Sequence, residues 1–67
     1  MELVTNLIAR LPEKLRSVII LREIEGLNYD ELAEALSCSL DAVKGRLKRA
    51  RRELELKVRH ILAAKDV

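Results

Sequence analysis

Aromatic side chains are almost missing from this chain: Tyr29 stands alone, with no tryptophan and no phenylalanine. Proteins that hold single-stranded nucleic acid stack its bases on aromatic platforms, so one tyrosine excludes that mode of binding. Cys38 is the only cysteine and His60 the only histidine, which leaves neither a disulfide framework nor a cysteine–histidine zinc staple. Cys38 reads as a small turn residue and His60 as a surface or helix-end residue. No nucleophile–base pair, metal cluster or glycine loop able to cradle phosphate is present, so neither an enzyme nor a bound cofactor is expected. No apolar run approaches the ~20 residues of a membrane span, and no signal peptide is evident, so a cytoplasmic protein without a membrane partner is expected. The 67 residues fit one domain, 1–67. At that size roughly 60% of the unfolded surface can be buried.

Charge is plentiful but unevenly placed. Residues 1–41 hold eight acids against four bases, and residues 42–67 hold nine bases against three acids, within an overall charge of +2. A net of −4 followed by a net of +6 points to a polyanionic partner for the second half. The bases concentrate in S-L-D-A-V-K-G-R-L-K-R-A-R-R-E-L (39–54), with no acid between Asp41 and Glu53. Val43, Leu47, Ala50 and Leu54 recur at steps of four, three and four, which places them on one helical stripe. Lys44, Arg46, Lys48, Arg49, Arg51 and Arg52 occupy the rest of the helix. Such a helix suits the phosphate-lined major groove of a duplex, and equally describes a charge-coated surface helix.

The sequence predicts an all-α fold of about four helices, near 2–10, 13–24, 29–36 and 40–64. Leu3, Leu7 and Ile8, with Val4 beside them, form the apolar side of the first. Pro12 ends it and opens the second, whose first turn carries Glu13. The centre of the second helix, Val18, Ile19, Ile20 and Leu21, is apolar on too many sides for a single stripe. Either the other helices enclose it or part of it meets a partner protein. Enclosure is difficult in so small a domain, which favours a partner face. Gly26 is the expected stop. Asn28 and Glu31 have capping-box spacing, and Leu27 and Leu32 sit as a hydrophobic staple around them. Ser37-Cys38-Ser39 turns the chain, and Ser39 can cap the basic helix. A short helix, a three-residue turn and a basic amphipathic helix make a helix-turn-helix pattern ending in a long recognition helix. Serine at 37 stands where glycine often serves such turns for its left-handed conformation. The stripe continues through Val58, Ile61 and Leu62. A helix that long must pack its end on the first helix, kink, or project.

With the motif assembled, the chain resembles region 4 of the bacterial sigma-70 factors, most closely the extracytoplasmic-function group. The resemblance rests on L-P-E-K-L-R-S-V-I-I-L-R-E-I-E-G-L-N-Y-D-E-L-A-E-A-L (11–36) and V-K-G-R-L-K-R-A-R-R-E-L (43–54). A generic helix-turn-helix protein would share the second stretch but not the first. The resemblance implies a domain that reads the promoter −35 element of double-stranded DNA with the helix starting near Leu40. It also implies a domain that clasps the flap of the RNA polymerase β subunit and is open to cover by an anti-sigma protein. Nothing corresponds to the region-two domain of whole sigma factors, so an isolated domain, monomeric, is expected. Ala42 and Gly45 stand where threonine and serine are common in the family, which bears on the bases read.

Lys44, Gly45, Lys48 and Arg49 face the groove when Val43 and Leu47 face inward, and the matching family positions approach base edges. Arg49 is the first choice for guanine, since its planar fork meets O6 and N7 together for ~1–3 kcal/mol of discrimination. Arg46, Arg51 and Arg52 suit phosphates, and the Tyr29 hydroxyl can reach one, although Tyr29 reads first as a packing residue. Neutralising about four phosphates gives a log–log salt slope near −3.6. Two other functions fit less of the pattern. One is a protein-interaction module whose surface is the apolar second helix (Val18, Ile19, Ile20 and Leu21) and the long last helix; the other is a stand-alone dimeric repressor with Val58, Ile61 and Leu62 as its seam.

Overall fold

The computed structural model describes the backbone of residues 2–65 and the side chains of residues 3–63. Four helices and no strand occur among them: α1 (Glu2–Ala9), α2 (Glu13–Ile19), α3 (Tyr29–Ala35) and α4 (Leu40–Lys65). A π turn, Ile20–Ile24, continues directly from α2. Helix starts and stops lie where local chemistry sets them. Pro12, at φ −53° and ψ 147°, precedes α2, and Glu13 occupies its positive first turn. Gly26 at φ +77° terminates the second segment. The capping box closes both ways: Asn28 Oδ1 accepts from Glu31 N at 2.8 Å, and Glu31 Oε1 accepts from Asn28 N at 2.9 Å.

The π turn is not visible in the residue pattern. Glu25 N donates to Ile20 O at 3.0 Å, a five-residue reach, and Leu27 N donates to Leu21 O at 3.0 Å, one residue wider than a Schellman closure. The extra residue turns the side chains that follow. Ile24 ends up in solvent at 62% exposure, and Glu23 meets α4.

One cluster forms the core: Ile8, Leu11, Val18, Ile19, Leu32, Val43, Leu47 and Ala50, with Leu15, Ile20, Leu21, Leu27, Tyr29, Ala33, Leu36, Cys38 and Leu54 packed around it. Each fully enclosed aliphatic side chain here contributes ~1.5–3 kcal/mol relative to exposure. This arrangement corrects the expected partner face. Val18 and Ile19 are 0% and 1% exposed and so are closed to any partner, while Ile20 and Leu21 are half-buried against the cluster. Packing of α2 against α4, with α1 and α3 at the sides, supplies the enclosure that so small a domain was expected to lack. In α1, Leu7 and Ile8 are buried, whereas Leu3 and Val4 stand about half exposed.

Helix α4 is uninterrupted for 26 residues, about 39 Å, and sets the long dimension of a body measuring 44 × 20 × 17 Å. Its second half lies alongside α1, where Leu7 and Arg10 share a groove with Leu56, Lys57, His60 and Ile61. Farther on, Leu62 is 55% exposed. Ion pairs within the helix, Glu53–Lys57 at 3.8 Å and Glu55–Arg59 at 2.6 Å, run along this half.

Candidate nucleic-acid interface

The turn from α3 into α4 fixes how the basic helix is presented. Cys38 N donates to Ala33 O at 3.0 Å and Ser37 N to Glu34 O at 3.2 Å, the two bonds of a Schellman motif. Ser37 occupies its left-handed position at φ 52°, where a side chain is tolerated at a cost that glycine avoids. Ser39 Oγ then accepts from Ala42 N at 3.1 Å and caps α4. These short-range bonds set the direction in which α4 leaves the turn.

Core contacts set its rotation. Val43, Leu47 and Ala50 are 0%, 1% and 0% exposed against α2 and α3. With that stripe inward, Lys44, Lys48, Arg49, Arg51 and Arg52 are exposed, and Gly45 and Arg46 are half-buried. Two shallow grooves flank the helix. One is lined by Tyr29, Lys44, Leu47, Lys48, Arg51, Arg52 and Glu55. The other is lined by Pro12, Lys14, Leu15, Ala42, Arg46 and Arg49. The sequence pattern thus put most of the basic residues on one accessible surface and missed Lys14. That residue joins Arg46 and Arg49 only because α2 packs beside α4, and no spacing within α2 signals it.

Individual side chains differ in how free they are. A Cβ placed on Gly45 would lie 3.9 Å from Arg49 Nη2, an ordinary contact, so the guanidinium rests over the gap that the glycine leaves. Tyr29 is half-buried, with the Arg22 guanidinium 5.0 Å from its ring centroid. Arg22 Nη1 also donates to Leu27 O at 2.7 Å, tying the π turn to the start of α3. Arg51 departs from its expected role on phosphate: its Nη2 donates to Glu23 Oε1 at 2.9 Å, across 28 residues. The hydrogen bond to Glu23 raises its pKa above the ordinary arginine value; slight desolvation opposes this, and the charge of Glu23 and the nearby Tyr29 add to it.

Apolar surface adjoins this face at Arg51 and Glu55. A groove of Val4, Ile8, Ile19, Leu54 and Val58 opens between α1, α2 and α4, bordered by Glu23, Arg51 and Glu55. Among the described residues, no group of three or more His, Cys, Asp or Glu is placed to hold a metal ion. No described helix is long and apolar enough to cross a membrane.

Residues 1–54 match the family model described as "Sigma-70, region 4". The chain belongs to that family. It is 40% identical over 60 residues to the ECF RNA polymerase sigma-E factor of Haemophilus influenzae, a stretch covering 90% of this chain and 32% of that protein. Sigma-E factors of Salmonella typhimurium and Escherichia coli K12 are 39% identical over 61 residues, 91% of this chain and 32% of theirs. The chain therefore spans about a third of the length of these relatives. Helix α3, the Ser37–Ser39 turn and α4 follow one another in the order of a helix-turn-helix, and the cationic face lies on the second of its helices.

Proposed function

We propose that this chain binds the promoter −35 element as the region-4 domain of an extracytoplasmic-function sigma factor, and takes part in recruiting RNA polymerase for transcription initiation. One observation carries the reading: Val43, Leu47 and Ala50 anchor α4 while Lys44, Lys48 and Arg49 stand in solvent on the opposite side, beside the half-exposed backbone of Gly45. A helix so presented fits the major groove. Arg49 meets guanine with its planar fork, and Lys44, Gly45 and Lys48 lie along the neighbouring base edges. Arg46, Arg52 and the Tyr29 hydroxyl meet phosphates, which position the helix without reading sequence. Polymerase contact, through the β flap, falls to the exposed apolar side chains of α1 and the second half of α4, Val4, Leu56, Val58 and Leu62, rather than to the enclosed Val18 and Ile19. An anti-sigma protein would compete for the same surfaces.

Substitution of Arg49 tests this. Arg49→Ala is expected to lower affinity for duplexes enriched by selection on the parent protein by ~1–3 kcal/mol and to relax preference at one base pair. A duplex-binding assay across single-base variants of the selected site reads both effects. Equal loss on every sequence would make Arg49 a phosphate contact, and no loss would remove it from the interface.

A further inference from the structure

Arg51 is the one cation of α4 that borders both grooves, the cationic one with Lys44, Lys48 and Arg52 and the apolar one with Val4, Leu54 and Val58. It is also engaged within the protein. The contact to Glu23 is a single Nη2–Oε1 bond of 2.9 Å, with the two side chains 52% and 50% exposed. The other acid at that position, Glu55, is held by Arg59 at 2.6 Å. Glu23 lies in the π turn, and its side chain reaches across to α4. A guanidinium pairs with carboxylate and phosphate through the same donors, so one exposed partner can replace the other.

We propose that Glu23 is a positioning residue for DNA binding: its carboxylate holds the Arg51 guanidinium back from phosphate, so the cationic groove carries one positive charge fewer than its sequence supplies. This rests on the duplex-binding reading above. Removing the carboxylate releases Arg51 to the phosphate beside Lys44, Lys48 and Arg52.

The test measures binding of a short labelled duplex of mixed sequence by fluorescence anisotropy over a salt series, for the parent chain, Glu23→Gln, Arg51→Gln and the double variant. Glu23→Gln is expected to steepen the log–log salt slope by ~0.9, one additional phosphate. Its affinity advantage over the parent then shrinks about 3.5-fold between roughly 50 and 200 mM salt. In the Arg51→Gln background the same substitution is expected to leave the slope unchanged. A purely structural pair would instead lower the melting temperature on Glu23→Gln without moving the slope, and that result overturns the proposal. An equal change in both backgrounds also overturns it, since the effect would then be the lost negative charge acting at a distance. If the parent chain fails to bind duplex, the duplex-binding reading falls and the inference falls with it. Failure of the background dependence alone leaves the duplex-binding reading in place.

Discussion

Three side chains decide which way α4 faces. Val43, Leu47 and Ala50 are enclosed, so the helix cannot rotate without bringing apolar surface into water, and the bases on its far side are presented by default. Gly45 interrupts that outer side with the one residue that weakens a helix interior. A methyl group added there meets only ordinary contact with Arg49 Nη2, so nothing steric forbids alanine. Gly45→Ala is therefore expected to stabilise the fold by ~1 kcal/mol, read as a raised denaturation midpoint. It is also expected to weaken duplex binding, because the methyl group occupies the space where backbone and bases approach. Unchanged affinity with raised stability would make the glycine a tolerated residue of no consequence for DNA. The stripe at steps of four and three was readable without coordinates. The Arg51–Glu23 pair was not, because its partners are 28 residues apart and meet only after α2 packs on α4.

Helices and turns divide in the same way. Pro12, Gly26, the Asn28–Glu31 box and the Ser37–Ser39 turn were legible because each acts over three to six residues through bonds that short-range sequence determines. The π turn was not, since its residues suit an α-helix equally well and only packing favours the wider bonds from Glu25 to Ile20 and Leu27 to Leu21. The enclosure of Val18 and Ile19 was misjudged for a related reason. An apolar segment reads alike whether neighbours enclose it or a partner does, and its neighbours are set by tertiary structure. Removing a local signal has a calculable effect. Asn28→Ala deletes the acceptor for Glu31 N and is expected to destabilise the domain by ~1 kcal/mol in urea unfolding. Ser39 would still cap α4, so the loss is expected to fall on α3 and on the mutual angle of the two helices.

The whole chain separates its charges and its apolar surface onto different faces. The acidic first half builds most of the scaffold, and the basic stretch of α4 is carried on one side of it. Of the exposed large apolar residues, Leu3, Val4, Leu56, Val58 and Leu62 lie on α1 and the second half of α4, while Ile24 and Leu40 stand apart from them. A 44 Å body with such a division offers a duplex and a protein different surfaces, which adjoin at Arg51 and Glu55. Charge asymmetry foretold a basic second half, and the structure exposes most of those bases on α4. How α1 and the end of α4 lie together depended on packing that no periodicity encodes.

Amide chemical-shift mapping with a selected duplex tests the central assignment most directly. Titration is expected to move the amides of residues 44–52 and those at the start of α3 around Tyr29, and to leave α1 and residues 56–63 in place. Shifts concentrated on α1 and the second half of α4, with residues 44–52 unmoved, would contradict the account.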